Sequence, residues 1–272
     1  MGRHVIEALG KTKVVIEDGK IVEVGEPQLE YCPLFYKKRG IETMTPEIVR
    51  ENIEFRIKDF GMCTPDRKLR MRDFLSFGVS ELLGMAVAEG RLDAAVLVCD
   101  GTGTLVVSEP DLIQGIGGRI SGIVETSPID EVIDAVGRDR VLDPSTAKID
   151  QLAGTELAFK LGFKKVGVTV SFAGDAKALR DRYGDRVAIF AVHSSGRTAE
   201  DAEVLFDSCD IVTACGSKSI RAVAKERAPM QAGNKVPVYA ASKWGEELIE
   251  HRRKVVKAPQ VIQPEDPPRP LI

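Results

Sequence analysis

Long hydrophobic segments and histidines are what this sequence has least of. The 272 residues include only 3 histidines, and no apolar run approaches the roughly 20 residues that a helix needs to cross a bilayer. The first residues, MGRHVIEALGKTK, lack the apolar centre of a signal peptide. These absences exclude a membrane-spanning protein and favour a cytoplasmic one.

A charge imbalance and nucleotide-binding fingerprints are also missing. The 38 Lys+Arg and 41 Asp+Glu residues give a formal net charge of −3, so no general attraction to nucleic acid is expected. TACGSKS at 213–219 lacks the spaced glycines and the Gly-Lys pair of a P-loop, and CDGTGT at 99–104 lacks a third glycine. GIGG at 115–118 does not follow a predicted strand directly. We therefore predict no NAD or ATP site.

The cysteines lack the close spacing of a disulfide framework or of a zinc finger. There are 5, an odd number, without a CxxC pair. Cys209 has apolar neighbours at a predicted helix-to-strand junction, which favours simple packing. For Cys32, Cys63, Cys99 and Cys215 three hypotheses remain open: ligands of zinc or an iron–sulfur cluster, reactive thiols in a substrate cleft, or structural thiols.

The N-terminal part of the chain mixes helices, strands and loops. Asp18 and Gly19 separate two β-branched runs and predict a hairpin turn. Thr45 as N-cap, Pro46 at the first helical position and Gly61 at the end predict a helix over 45–61. The other predicted elements are a loop over 26–44, a second helix over 73–90, a buried strand at 92–99 with GTLVVSEP as its return, and a loop or lid over 111–128.

From residue 129 onward, strands and helices alternate regularly. This alternation predicts an α/β fold with a mostly parallel sheet and helices on both faces over 129–257. A smaller α+β portion over 1–128 precedes it, unless the strand at 92–99 joins the main sheet and makes a single unit. Five prolines in the last fifteen residues predict an extended tail over 258–272, which we expect to lie on a partner.

Small, polar and nucleophilic residues follow several predicted strands. Because open α/β sheets bind ligands outside the carboxyl ends of their strands, these residues predict a shared cleft, although glycine and serine at such positions also serve as turns and helix caps. The start of the helix after TACGS, together with Lys218, suits a phosphate or carboxylate. The predicted ligand-binding residues are Asp100, Thr102, Ser194, Arg197, Ser217, Lys218, Arg67 and Arg119. The predicted catalytic residues are Cys99, Cys215 and His193.

The stretch FGMCTPDRKLR at 60–70 places a cysteine beside a cluster of cations. Such cations are either the solvated start of a helix or the partners of a nearby anion. A basic helix start opposes the helix dipole, so the second interpretation is favoured.

Seven phrases of the sequence together resemble the methanogenesis marker protein 8 family of methanogenic archaea. They are YCPLF…RG, EFRIKDFGMCTPDR, FLSFGVSE, VCDGTGT, QGIGGRISGIVETSPI, LDPSTAKIDQ and DIVTACGSKSIR, and the resemblance runs from about residue 3 to 250. It implies an anaerobic archaeal cytoplasm with iron–sulfur chemistry and unusual cofactors nearby. It carries over no catalytic residue.

Three functional hypotheses follow. The first is an accessory or maturation factor for the methane-forming machinery, acting on methyl-coenzyme M reductase or its cofactors, with a protein partner and an anionic small molecule in its cleft. The second is a thiol-dependent transferase or lyase acting on an anionic cofactor precursor, with Cys99 or Cys215 as nucleophile and His193 as base. The third is an iron–sulfur or zinc protein. A homo-oligomer is compatible with each.

Overall fold

The part of the chain that the structure describes contains two β-sheets, one of seven strands and one of four. The computed structural model describes residues 2–73, 76–120, 122–233, 236–257 and 266–272. Its strands are β1 (Arg3–Glu7), β2 (Lys13–Glu17), β3 (Lys20–Val24), β4 (Ala94–Cys99), β5 (Gly103–Val107), β6 (Ile123–Thr126), β7 (Val166–Val170), β8 (Val187–Ala191), β9 (Ile211–Thr213), β10 (Met230–Ala232) and β11 (Val238–Ala240).

Ten α-helices surround these sheets within the described residues. They are α1 (Pro33–Arg39), α2 (Pro46–Phe60), α3 (Val79–Ala88), α4 (Pro110–Gly117), α5 (Asp130–Val136), α6 (Gln151–Lys160), α7 (Ala173–Tyr183), α8 (Ala199–Ser208), α9 (Lys218–Arg227) and α10 (Lys243–Val255). None of the described helices has the length and hydropathy required to cross a membrane.

The larger sheet confirms the predicted fold class. Its strand order is β10-β11-β9-β8-β7-β4-β5, and its central strands β4, β7, β8 and β9 run parallel. Antiparallel strands flank them on both sides. One apolar core, with Leu83 and Leu248, lies on one face, and a second, with Leu179 and Leu205, lies on the other. Helices therefore cover both faces, as the continuous apolar strands require.

The smaller sheet has the order β3-β2-β1-β6 and is antiparallel. The hairpin between β2 and β3 turns at Asp18 and Gly19, both of which have positive φ angles, so that prediction is confirmed. A third apolar core, including Ile16 and Ile53, joins this sheet to α2. Helix α2 has the predicted cap at Thr45 and ends at Gly61.

The two sheets draw on overlapping parts of the chain. Strand β4 pairs in parallel with β7, so the strand predicted at 92–99 belongs to the main sheet. Strand β6 returns to pair with β1 of the smaller sheet. A boundary at residue 128 therefore does not separate one sheet from the other.

Three local predictions are wrong. The loop expected over 26–44 contains α1, because Pro33 at the first helical position and Gly40 in the left-handed region define a short helix. The loop or lid expected over 111–128 contains α4 and β6, because buried contacts of this segment outweigh its glycines. The helix expected over 73–90 begins only at Val79; residues 74 and 75 lie outside the described residues.

The described end of the predicted tail packs on its own chain. Residues 258–265 lie outside the described residues. Arg269 exchanges backbone hydrogen bonds with Tyr31, and Ile272 exchanges them with the segment 216–218. Residues 266–272 thus join the loop before α1 to the loop before α9.

Candidate functional site

A cavity of about 430 Å³ lies at the carboxyl edge of the parallel sheet. The ends of β4, β7 and β8 contribute to it, through Leu97, Thr169 and Val192 among others. Its wall is mostly apolar, with a few polar groups. The lining residues are Val79, Ser80, Leu83, Leu97, Val98, Ile113, Gly117, Ile120, Gly122, Ile123, Ile149, Asp150, Gln151, Leu152, Thr169, Ser171, Phe172, Asp175 and Val192.

The two carboxylates of this cavity belong to residues at the N-terminal ends of two helices. Asp150 is the N-cap of α6, and its Oδ1 accepts a hydrogen bond of 2.9 Å from the backbone N–H of Ala153. Asp175 lies in the first turn of α7, just after the end of β7. Both positions favour a carboxylate because the N-terminal end of a helix carries a partial positive charge. The cavity thus receives an aspartate from each of two neighbouring helices.

The Gln151 side chain belongs to the polar part of the cavity wall and links α6 to the sheet. The Gln151 amide donates to the Thr169 carbonyl at 2.5 Å, and its oxygen accepts from the Thr104 hydroxyl at 2.8 Å. Both groups of the amide are therefore satisfied by the protein. Gln151 holds α6 against β5 and β7 and so keeps Asp150 in place.

The two aspartates have opposite electrostatic environments. Burial raises the pKa of Asp175, and the nearby charge of Asp150 raises it further. Burial acts in the same direction on Asp150, but hydrogen bonds from the Lys148 ammonium and the Ala153 N–H outweigh it and lower the pKa of Asp150. Two carboxyls whose pKa values are pushed apart are the arrangement found in acid–base pairs.

Carboxylates line part of the cavity, whereas the sequence predicts a cleft that binds anions. The described residues that line the cavity include two carboxylates and neither Lys nor Arg. A cavity with this lining suits a ligand that has an apolar body and a hydrogen-bond-donating or cationic group.

His193 and Arg197, both predicted site residues, lie at the rim of this cavity. The His193 Nε2 is 2.7 Å from Oε2 of Glu7, and this hydrogen bond is the main cause that lowers the pKa of Glu7. His193 also has a positive φ of 54°, unusual for a residue with a side chain. Its ring packs on Gly122, a lining residue with no room for a side chain. The Arg197 guanidinium stacks over the ring of Phe172 at 4.4 Å.

The residues predicted to hold an anion before α9 have partners within the chain. The Ser194 hydroxyl donates to the Thr213 carbonyl, and Ser217 caps α9 by accepting from the Ile220 N–H at 3.2 Å. The backbone N–H of Lys218 donates to the Ile272 oxygen at 2.8 Å. One N–H group at the helix start predicted as an anion site is thus bonded to Ile272 of the tail.

The thiol and cation of FGMCTPDRKLR meet Asp100 in the interior. Nε of Arg67 is 3.0 Å from Oδ1 of Asp100, and the Cys63 N–H donates to Oδ2 at 2.6 Å. Arg67 and Asp100 have 0% and 1% of their side chains exposed. Thr102 is also buried and donates to the Gly103 carbonyl at 3.1 Å. For Arg67, the predicted anion partner is therefore the chain's own Asp100.

This buried environment does not favour reactive thiols. Burial, together with the Asp100 charge, raises the pKa of both Cys63 and Cys99 well above the ordinary value. A thiol that stays protonated is a poor nucleophile. The structure therefore argues against Cys99 as a nucleophile and assigns Arg67 and Asp100 to holding the segment 62–73 against the sheet.

Cys32 and Cys215 form a second pair, apart from the first. Each thiol is the largest influence on the pKa of the other, although they are 183 positions apart in the sequence (215 − 32). Cys209 is buried, as predicted. The four sulfurs expected to meet are thus divided into two pairs. Within the described residues, no three His, Cys, Asp or Glu side chains are arranged to hold a metal ion.

Arg119 contacts the end of α2 and the segment 62–73. Its guanidinium stacks over the Phe60 ring at 4.1 Å, and Nε contacts the Met71 sulfur at 2.8 Å. Burial lowers its pKa. These contacts give Arg119 a packing role between α2 and the end of α4.

Asp150, Gln151 and Asp175 are the site residues that sequence reasoning missed. A signal was present, because Asp150 lies near the start of the helix predicted for TAKIDQLAGTELAFKLG, and Asp175 follows the strand VGVTV by five residues (175 − 170). If only the residue immediately after each strand is considered, Ser171 is selected and Asp175 is not. Including the first turn of each following helix would have found it.

The architecture and the cavity define an α/β protein with a ligand-sized pocket at the carboxyl edge of its parallel strands. Residues 4–254 match the family model described as "Uncharacterized protein conserved in archaea (DUF2099)", and the chain belongs to this family. It is similar to "Uncharacterized protein MJ0054" of Methanocaldococcus jannaschii, with 46% identity over 259 residues, covering 93% of this chain and 92% of that protein.

Proposed function

We propose that the protein binds a small organic molecule in the cavity at the sheet edge and serves the methane-forming machinery of an archaeon as an accessory or maturation factor. The ligand has an apolar body and a hydrogen-bond-donating or cationic group. The observation that carries the binding proposal is the pair Asp150 and Asp175, held in a mostly apolar cavity.

The position and size of the cavity support this proposal. The cavity is at the edge where open α/β sheets bind ligands. Its volume of about 430 Å³ is within the range typical of small-molecule pockets. Few polar groups face an apolar wall, which is the composition that orients a ligand while burying most of its surface.

The two aspartates also favour a second candidate, an enzyme that uses acid–base catalysis on the bound molecule. A raised pKa suits Asp175 as the acid, and a lowered pKa suits Asp150 as the base. His193, hydrogen-bonded to Glu7 at the rim, offers a further proton acceptor. This candidate replaces the thiol-dependent mechanism at Cys99, whose sulfur is buried.

The methane-forming setting rests on the sequence phrases that resemble the methanogenesis marker protein 8 family and on membership of an archaeal family. We expect a protein partner from the reductase machinery. Affinity purification from an anaerobic methanogen extract tests this: recovery of reductase subunits or their assembly proteins supports the setting, and recovery of none of them contradicts it.

The binding proposal has its own test. The protein is incubated with the small-molecule fraction of a methanogen extract, re-isolated, and analysed by mass spectrometry for retained compounds. We expect the wild type to retain a compound that the Asp175→Asn variant loses. The control is Asp181→Asn on the same helix, where the carboxylate is exposed and pairs with Lys177. Equal retention by wild type and Asp175→Asn, or retention of nothing, contradicts the proposal.

A comparison of substrate and product distinguishes the two candidates. If the compound is released unchanged, the protein is a binding factor. If the extract shows consumption of that compound by the wild type and not by Asp175→Asn, the protein is an enzyme.

A further inference from the structure

The pair Cys32 and Cys215 lies outside the cavity and is not used by the proposed function. Cys32 caps the start of α1, and Cys215 follows β9. The largest influence on the pKa of each thiol is the other thiol, which places the two side chains beside each other. Both thiols are free, and they lie on segments far apart in the sequence.

Close packing brings the two segments together. Leu29, three residues before Cys32, packs so tightly on Gly216 that an added Cβ there would lie 2.5 Å from a Leu29 methyl carbon. The tail then joins both sides: Arg269 pairs with Tyr31, and the Ile272 N–H donates to the Gly216 carbonyl at 2.9 Å. The residues beside each cysteine are therefore held by the same short piece of chain.

The electrostatic environment of the pair favours one thiolate. The Cys215 thiol, the backbone N–H groups of Leu34 and Phe35 and the charge of Arg221 lower the pKa of Cys32 to about 6. The hydrogen bond to Cys32 and burial raise the pKa of Cys215 well above its ordinary value. One proton is thus shared by two sulfurs, and a single negative charge is stabilised.

Arg221 supplies the positive charge beside both sulfurs. Its Nη2 donates a hydrogen bond to the Ala214 carbonyl at 3.1 Å and another to the Cys215 carbonyl at 2.8 Å. Its Nε is buried and has no hydrogen-bond partner among the described residues. Tyr239 is the other titratable group facing this arginine. The site therefore has a cation that can stabilise negative charge on either sulfur.

We propose that Cys32 and Cys215 are a redox-active dithiol that exchanges with small organic disulfides. The Cys32 thiolate attacks one sulfur of the disulfide RSSR, which forms a mixed disulfide and releases RS⁻. Cys215 then loses its proton, and its sulfur attacks the Cys32 sulfur and releases the second RS⁻. The net reaction converts RSSR and two thiols into two RSH and one protein disulfide, so two electrons and two protons pass to the organic disulfide.

The test uses the full chain, reduced anaerobically and then titrated with oxidised glutathione. Remaining thiols are blocked, and the peptides are mapped by mass spectrometry without reduction. We expect a peptide pair that links Cys32 to Cys215 at oxidant concentrations that leave Cys63, Cys99 and Cys209 reduced. No such link, or oxidation of all five cysteines together, would overturn the proposal.

Two variants test the order of the steps. Cys215→Ala should accumulate the glutathione mixed disulfide on Cys32, because the resolving sulfur is absent, whereas the matched control Cys209→Ala should form the same internal disulfide as the wild type. Without a mixed disulfide on Cys32 the assigned order is wrong. Even if a variant fails to fold, the peptide map of the wild type shows whether the disulfide between Cys32 and Cys215 forms.

A pH profile provides a readout that mere packing would not produce. The rate of iodoacetamide alkylation of Cys32 should rise with pH around a midpoint of about 6. In Cys215→Ala the midpoint should move upward, because the thiol that donates to Cys32 is lost. An unchanged midpoint would contradict the shared proton. These outcomes are independent of ligand binding in the cavity.

Discussion

The two aspartates of the cavity show how neighbouring residues of the same type acquire different properties. Asp150 accepts hydrogen bonds from a helix N–H and from Lys148, so its charged form is stabilised. Asp175 is half-buried, and burial together with the charge of Asp150 disfavours its charged form. The difference comes from partners and not from the residue type. It also predicts opposite effects on stability.

Asp175→Asn should stabilise the protein at neutral pH. A carboxyl whose pKa is raised in the folded state binds its proton more tightly than in the unfolded state, so wild-type stability falls as pH rises from its ordinary value of 3.8 through the folded value. Removing the charge removes this loss. Thermal unfolding should show a higher Tm for the variant at pH 7 and a vanishing difference below pH 3.8.

Asp150→Asn provides the contrast. Its pKa is lowered, so its charge stabilises the folded state above the unfolded pKa, and that contribution is lost as pH falls through the folded pKa. Because asparagine still caps the helix, the variant should lose a small amount of stability at pH 7. Tm changes of the same sign for both variants would contradict the assignment of the two environments.

At the scale of elements, the segment 62–73 between α2 and α3 is held to the sheet by a buried ion pair. Arg67 also donates to the Gly115 carbonyl at 3.1 Å, so one guanidinium connects this segment, the β4–β5 turn and α4. Buried charges of this kind are stable only while both partners are present.

Arg67→Met should therefore destabilise the protein by about 3–5 kcal/mol, the usual effect of leaving one charge of a buried pair uncompensated. The measurement is the free energy of unfolding in urea. Arg70→Met is the matched control, because Arg70 lies in the same segment and pairs with Asp111 at the surface, where ion pairs contribute little. Adding Asp100→Asn to Arg67→Met should recover part of the loss, and equal losses in the Arg67 and Arg70 variants would refute the argument.

The loop between α4 and β6 positions the rim of the cavity through a glycine. Gly122 has a φ of +70°, and an added Cβ would lie 2.5 Å from Cε1 of His193. Gly122→Ala should therefore displace the imidazole from Glu7. Gly90→Ala is the control, because Gly90 has a φ of +68° but open space around it. This variant has the same kind of backbone strain as Gly122→Ala without the clash.

Imidazole NMR provides the measurement for this pair of variants, because the chain has only 3 histidines. The resonance of His193 should change in Gly122→Ala and stay as in the wild type in Gly90→Ala. The same spectrum for both variants would mean that Gly122 does not position His193.

At the scale of the whole molecule, the sequence predicts correctly those features of the fold that short stretches of the chain determine. Alternation of apolar strands with helices is local, so the parallel sheet was predicted correctly. The contact of Arg67 with Asp100 spans 33 residues, and that of Cys32 with Cys215 spans 183 (215 − 32). Such contacts depend on the packing of the whole chain. The cavity was missed for the same reason, since α6 and α7 each supply one aspartate and neither position is distinctive alone.

The tail connects the whole-molecule arrangement to the dithiol. Arg269 stacks on Tyr31 at 4.2 Å and pairs with Asp266 at 3.0 Å, while the Tyr31 hydroxyl donates to Asp266. These contacts hold residues 266–272 beside Cys32, whose exposed fraction is only 3%. Access of a reagent to this buried sulfur requires local movement, and we expect that movement in the tail.

Arg269→Ala should increase the rate at which iodoacetamide modifies Cys32, because the stacking and the ion pair that hold the tail are both removed. The rate is measured at pH 7 by mass spectrometry of the Cys32 peptide, with Cys63 as the internal reference for global unfolding. Arg138→Ala is the control, since Arg138 forms exposed pairs with Asp130 and Asp134 far along the chain from the tail. An increase confined to Cys32 and Cys215 would show that the tail regulates access to the dithiol. An equal rate in both variants would mean that the tail does not cover it, and acceleration at Cys63 as well would mean that the substitution acts by unfolding the protein.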